Sequence, residues 1–204
     1  MVLQKVVEFY VRNRRKPERV AVLAGSFNPP TNAHLELIQA AGFHADEILC
    51  VIPRAFPHKE YFGATLDQRL EMMAHADRGL GYSIASTGAG LFIDIARECR
   101  EQYSRDAKLL FVCGRDAAER VLTWDYGREG AVEEMLSEFE LLVAARRGEF
   151  EPPREFRNRI HSLAVRGAFD AVSSTEVRER IAKREQWEHL VPEEIVERVR
   201  EIYS

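Results

Sequence analysis

The segment Gly25-Ser26-Phe27-Asn28-Pro29-Pro30-Thr31-Asn32-Ala33-His34 gathers residue types suited to holding a phosphate. Gly25 and Ser26 leave the backbone open to close approach by an anion. Pro29 and Pro30 stiffen the loop. Thr31 and His34 are three apart, so a helical turn beginning there brings both side chains to one side. Backbone N–H groups at a helix start favour an anion, and a hydroxyl and an imidazole beside them can hydrogen-bond phosphate oxygens. The plain alternative is a capped turn in which His34 satisfies a backbone carbonyl. A second segment, Ser173-Ser174-Thr175-Glu176-Val177-Arg178, opens in the same manner. Ser173 and Glu176 have capping-box spacing, which suits any helix start. Three adjacent hydroxyls with Arg178 one turn later also make an anion site. Two such helix starts could grip one polyphosphate from opposite sides.

The elements that must position these segments follow from periodicity. Leu3, Val6, Val7, Tyr10 and Val11 recur at helical spacing and predict an N-terminal amphipathic helix. Arg12 to Arg19 reads as a solvated basic linker. Strands are predicted at Val20–Ala24, Glu47–Ile52, Tyr82–Ser86, Lys108–Cys113, Leu141–Ala145 and, more weakly, Ser162–Val165. Between them, helical faces fall at Ala33–Ala41, around Leu66 to Ala74, around Phe92 to Cys99 and at Glu133–Phe139. Two helices close the chain, one from near Ser174 and one from Pro192 that buries Ile195, Val196, Val199 and Ile202. Glu149 to Arg159, with Pro152 and Pro153, reads as an exposed connection. The expected fold is therefore α/β: a Rossmann-like, doubly wound, mostly parallel sheet with helices on both faces and a C-terminal helical segment. The domain division is 1–19 for the N-terminal helix and basic linker, and 20–204 for the domain that carries the chemistry. In such a sheet the ligand lies beyond the carboxyl ends of the strands, so the loops after Ala24, Ile52, Ser86 and Cys113 should converge on it.

The bulk properties narrow the function. The 204 residues are 46% hydrophobic and 30% charged, a composition that forms a packed core. A net charge of −4 argues against a broad nucleic-acid surface while leaving room for a local phosphate pocket. No run approaches the roughly 20 apolar residues of a membrane span, and the first residues do not form a signal peptide. Cys50, Cys99 and Cys113 lack metal-ligand spacing, and Cys50 and Cys113 lie in apolar runs, as buried thiols of a cytoplasmic protein do. His44, His75, His161 and His189 are too scattered for a zinc site. Gly88-Ala89-Gly90 lacks the third glycine of a dinucleotide fingerprint, which sets aside a dehydrogenase.

The first segment resembles the H-x-G-H loop of the nucleotidyltransferase superfamily in its G-x-F-x-P-x-(T/H)-x-x-H form. The second is similar to that superfamily's I-S-S-T-x-I-R segment, with Val172 and Val177 in the two Ile positions. From about Val20 onward the likeness is to bacterial nicotinate mononucleotide adenylyltransferase. Pro57-His58-Lys59 resembles its P-H-K loop, and Gln68-Arg69-Leu70-Glu71-Met72 its H-R-x-x-M helix. Gly114-Arg115-Asp116 followed by Trp124 resembles its G-x-D…W element, and Leu190-Val191-Pro192-Glu193 its L-V-P-E lead-in to the last helix. Thr31 stands where that family has a first His, as in the related enzyme that acts on phosphopantetheine. Ala33 replaces Gly, Asn28 replaces Asp, and the S-Y-T element is poorly reproduced around Ala89 to Asp94.

The resemblance implies attack of an acceptor phosphate oxygen on the α-phosphate of ATP, with loss of pyrophosphate. It gives His34, Thr31 and Arg178 catalytic roles. It places Gly25, Ser26, Phe27, Gly114, Asp116, Ser174 and Thr175 on ATP, and Lys59 and Trp124 on the acceptor. Mg²⁺ would arrive with ATP, held by phosphates and water rather than by a protein metal site. The implied product is deamido-NAD, and the implied partners are small molecules only. Two alternatives stand beside it: the same reaction on another phosphate-bearing acceptor, and a nucleotide-binding module without turnover.

Overall fold

The computed structural model describes residues 6–14, 16–54, 63–144, 150–165 and 172–204. Seven strands form one sheet: β1 (Glu8–Val11), β2 (Arg19–Ala24), β3 (Glu47–Pro53), β4 (Ser83–Thr87), β5 (Lys108–Gly114), β6 (Glu140–Ala144) and β7 (Ile160–Leu163). Their order is β1-β4-β3-β2-β5-β6-β7, and every pairing is parallel except β1 with β4. The helices are α1 (Asn32–Ala41), α2 (Leu66–His75), α3 (Phe92–Arg100), α4 (Arg115–Thr123), α5 (Ala131–Glu138), α6 (Ser174–Lys183) and α7 (Val196–Tyr203).

Both faces of the sheet are covered, and the period-2 alternation of the strands sorts the core in two. On one face Ala21, Leu23, Cys50, Ile52, Leu110 and Val112 pack with Ile38 of α1, Met73 of α2, Val177 of α6 and Val199 of α7. On the other, Val20, Val22, Leu49, Val51, Leu109 and Phe111 pack with Ile95 of α3, Ala118 of α4 and Leu136 of α5. Helix starts are fixed locally. Thr65 Oγ1 accepts the Gln68 N–H (3.3 Å) while Gln68 Oε1 accepts the Thr65 N–H (2.8 Å), a reciprocal box that begins α2.

The chain runs outward from β2 through β3 to β4, returns to place β5 beside β2, and runs outward again through β6 to β7. The order therefore reverses between β2 and β5, and the carboxyl ends of those strands flank the crevice where ligands of such sheets bind.

The N-terminal segment departs from expectation. Where it is described it is not a helix: Glu8–Val11 is strand β1, antiparallel to β4. Its residues alternate between exposed and half-buried, and Phe9, Tyr10 and Val11 are strand formers. Hydrophobic spacing alone fits both periods over so short a run, and the edge of β4 supplies the ladder that decides it. Of the basic stretch, Arg12 and Asn13 are tied to the domain by side-chain contacts. The Arg12 guanidinium lies 4.4 Å from the Phe9 ring centroid and donates to the Gln102 carbonyl (2.8 Å), and Asn13 Nδ2 donates to the Tyr82 carbonyl (2.7 Å). Glu8–Val11 thus shares one sheet with the strands that follow. Smaller shifts concern ends: β7 begins two residues before the expected strand, and Pro192 precedes a 3₁₀ turn, Glu193–Ile195, that leads into α7.

Candidate active site

The loop after β2 is built around a close approach. The Gly25 N–H continues the ladder onto the Val51 carbonyl (3.0 Å). A Cβ on Gly25 would stand 3.2 Å from the Phe27 ring, close enough that the ring would have to shift to make room for it. Phe27 has φ 45°, in the left-handed region. That costs a non-glycine residue about 1–3 kcal/mol. Complete burial of the ring, at about 1.5–3 kcal/mol, offsets it. Arg69 of α2 is buried as well, and its guanidinium donates to the carbonyls of Ser26 (3.1 Å) and Thr65 (3.2 Å). It thereby pins the loop to the helix.

Thr31 caps α1 and is wholly buried. His34, at the third helical position, turns its ring back to the cap. Its Nδ1 accepts the Thr31 N–H (3.0 Å) and lies 2.8 Å from Thr31 Oγ1. This is a capping interaction with imidazole in the place of the usual carboxylate or amide. The ring meets an N–H donor rather than the carbonyl of the capped-turn alternative. The Phe27 ring lies 4.9 Å from it, centroid to centroid.

The second segment, 140 residues later, docks on the first. Ser173 caps α6, its Oγ accepting the Glu176 N–H (3.1 Å). Ser174 Oγ donates to the Pro29 carbonyl (2.7 Å), and Arg178 Nη1 donates to the Asn28 carbonyl. Arg178 Nη2 also reaches Thr175 Oγ1 (3.2 Å). Val177, between these polar residues, is anchored in the core. The two helix starts are therefore side by side, held by side chains of one on backbone carbonyls of the other. Sequence reasoning places Ser174 and Arg178 on phosphates; the structure shows that both also clasp the loop.

Asn28 is the junction that sequence reasoning missed. Its Oδ1 accepts the Ala64 N–H (3.3 Å) and the Tyr203 hydroxyl of α7. Burial pushes the Tyr203 hydroxyl up from its ordinary pKa, which keeps it a neutral donor. Asn28 thus joins the loop to the segment before α2 and to the last helix. Position 28 is visible in the sequence as a departure from the family residue. Nothing local marks Tyr203, because its partner lies 175 positions away.

The end of β5 supplies the other wall. Gly114 caps α4, and a Cβ there would meet open space, so a ligand can approach the backbone. Asp116 lies exposed in the first turn of α4. Trp124 stands apart from this group. It caps the far end of α4, about 15 Å along the helix from Gly114 at the usual rise, and is 59% exposed. Lys59, with Pro57 and His58, lies outside the described residues. Among the described residues no group of three or more His, Cys, Asp or Glu side chains could hold a metal ion. No helix among them is long and apolar enough to cross a membrane.

Comparison with known proteins gives the family and the fold. The model of the family described as cytidylyltransferase-like matches residues 22–180. A protein of Moorella thermoacetica named "Probable nicotinate-nucleotide adenylyltransferase" is 30% identical over 91% of this chain and 90% of its own length. Proteins of the same name from Gloeobacter violaceus (30% identical; 88% of this chain, 92% of theirs) and Thermus thermophilus (31%; 85% and 92%) are also similar. Among solved structures, Plasmodium falciparum nicotinic acid mononucleotide adenylyltransferase complexed with NaAD shares the fold, with a TM-score of 0.64 over 89% of this chain and 96% of that one, at 17% identity. The chain belongs to the cytidylyltransferase-like family of nucleotidyltransferases.

Proposed function

We propose that the protein transfers the adenylyl group of ATP to nicotinate mononucleotide, forming deamido-NAD and pyrophosphate in the cytoplasm. The observation that carries this reading is the pairing of two helix starts at the switch point of the sheet, clasped through Ser174 on Pro29 and Arg178 on Asn28. The names of relatives that match over nine-tenths of their length support the acceptor. The three free cysteines are buried, and burial pushes the Cys99 and Cys113 thiols up to about 12, which suits inert thiols in a reducing compartment.

An oxygen of the acceptor phosphate attacks the α-phosphorus of ATP in line. The new P–O bond forms as the bond from that phosphorus to the oxygen bridging the β-phosphate breaks, and pyrophosphate leaves with the electron pair. The nucleophile is already an anion, so no base is required. What the protein must supply is position and compensation of charge. The N–H groups at the starts of α1 and α6 face the polyphosphate, His34 donates to α- and β-phosphate oxygens, and Arg178 with Ser174 and Thr175 takes the outer phosphates. Gly25, Ser26 and Phe27 contribute backbone, while Gly114 and Asp116 border the nucleoside. A divalent metal, Mg²⁺ in this reading, enters as part of the ATP substrate and neutralises its phosphates. Lys59 and Trp124 form the acceptor side.

The test is pyrophosphate release from ATP with nicotinate mononucleotide, nicotinamide mononucleotide and a phosphopantetheine-type acceptor. Strong preference for the nicotinate nucleotide is expected. Turnover of another acceptor alone would overturn the acceptor and keep the reaction type. No turnover of any would leave a nucleotide-binding module. One observation favours a different acceptor: the S-Y-T element is poorly reproduced around Ala89 to Asp94, where Leu91 caps α3 without a side-chain hydrogen bond and is 54% exposed.

A further inference from the structure

We propose that Thr31 serves the reaction through His34, by fixing which nitrogen of the imidazole carries the proton, and not by touching substrate. The inference rests on the adenylyl-transfer reading and gives Thr31 a different part in it from the phosphate contact its position in the motif suggests.

Thr31 has 0% of its surface exposed, so its hydroxyl is not presented where a phosphate could meet it. Both of its polar donors instead converge on one atom. The backbone N–H is 3.0 Å from His34 Nδ1 and the hydroxyl is 2.8 Å from it. An amide N–H can only donate, so Nδ1 must be the acceptor nitrogen; a proton on Nδ1 would set two donors against each other. A neutral imidazole has one donor and one acceptor nitrogen. With Nδ1 accepting, the proton resides on Nε2. Free rotation of the ring would undo that assignment, and two features prevent it. The ring is tethered to its own helix cap, and Phe27, held in the left-handed region with its side chain buried, lies against it at 4.9 Å.

This arrangement matches the chemistry required. An anionic acceptor oxygen brings no proton for a base to remove, while charge builds on phosphate oxygens that need a preoriented donor. A His with Nε2 protonated is that donor. Were Nδ1 the protonated nitrogen, Nε2 would offer a lone pair to an anion and oppose the step. The Thr31 N–H therefore holds His34 in the one tautomer that helps, and the Thr31 hydroxyl, the part a substitution can remove, is the second donor that keeps the ring in place.

The test is a double-mutant cycle with Thr31→Val, His34→Ala and the double variant, read as initial rates at varied ATP and acceptor. Valine keeps the shape of threonine, and melting curves check that each variant is folded. Thr31→Val should lower kcat about tenfold with little change in either KM, and Thr31→Ser should restore most of that loss. In the His34→Ala background Thr31→Val should cost nothing further. A full additional loss in that background would overturn the proposal, because it would mean that the hydroxyl meets substrate directly. A second measurement does not depend on turnover. The ¹⁵N shifts of the His34 ring in the folded wild type should show Nε2 protonated and Nδ1 unprotonated, and the reverse pattern would overturn the proposal. Failure of the wild type to use nicotinate mononucleotide would overturn the acceptor assignment alone, since the ring shifts and the same cycle read as affinity for a non-hydrolysable ATP analogue still decide the role of Thr31.

Discussion

His34 is the residue on which the reaction should depend most. Its ring is oriented by Thr31 and Phe27 before substrate arrives, so no reorganisation is needed during the step. His34→Ala should leave a folded protein and reduce turnover by about 10²–10³, the usual loss for one preorganised donor; pyrophosphate release with a melting curve checks this. Wild-type turnover in a folded variant would remove His34 from the site. Arg178 has a double task, because its guanidinium holds the Asn28 carbonyl as well as standing at the start of α6. Arg178→Ala should weaken binding of a non-hydrolysable ATP analogue by about 1–3 kcal/mol, as expected for a charge-assisted hydrogen bond. The acceptor KM should change much less. Calorimetry measures the first and steady-state rates the second, and unchanged ATP affinity would limit Arg178 to its structural bond. His34, Ser174 and Arg178 were legible from residue type and spacing as candidate phosphate donors. The junction at Asn28 was not, since its value comes from Ala64 and Tyr203, which spacing along the chain cannot bring to mind.

Among the elements, α4 is the one whose exposed end bears on specificity. Trp124 caps it with 59% of its surface exposed, so little of the core depends on its ring. A flat aromatic face suits a pyridine ring, with about 0.5–1.5 kcal/mol of stacking beyond burial. Trp124→Ala should therefore raise the KM for nicotinate mononucleotide by roughly threefold to tenfold, leave the KM for ATP nearly unchanged and leave the melting temperature close to that of the wild type. If acceptor KM does not move, the pyridine binds elsewhere, and Leu91 at the start of α3 is the next position to vary. Strand β1 carries a different lesson. Its residues suit a strand or an amphipathic helix, and over Glu8–Val11 pairing with β4 selects the strand against the helical spacing.

For the molecule as a whole, a buried carboxyl at the amino end of the sheet links stability to pH. Glu47 begins β3, is 2% exposed and accepts a hydrogen bond from Ser83 Oγ. Burial raises its pKa above the ordinary 4.5, against the opposing influence of Ser83, Arg14 and Arg12. The folded state therefore holds this proton more tightly than the unfolded chain. The contribution of Glu47 to stability is complete below the unfolded pKa of 4.5 and is lost as pH rises through the folded value. Glu47→Gln keeps the shape and a neutral group. It should flatten that part of the stability curve and make the variant at least as stable as the wild type near pH 7, as denaturant melts from pH 4 to 8 would record. A variant that loses stability in parallel at every pH would show that Glu47 acts as an acceptor alone.

The sequence by itself determined whatever depends on neighbours a few residues apart. Alternation of period 2 and period 3.6 placed six of the strands and the helices between them except α4, and so the doubly wound sheet. The start of α6 was written in Ser173 and Glu176, because a cap closes within one turn. That the ligand lies beyond the carboxyl ends of the strands followed from such alternation, while the strand order that puts the crevice between β2 and β5 came from the tertiary structure. The tertiary structure alone decided where polar side chains turn once distant segments meet. Ser174 and Arg178 were legible as donors, but that they hold the carbonyls of Pro29 and Asn28 required α6 to dock on a loop about 145 residues earlier. The contact of Thr31 with His34 closes within one turn and was legible as a hydroxyl beside a histidine, yet only the packing of α1 buries it. Residue types state what each group can donate or accept; burial and long-range contacts decide to whom.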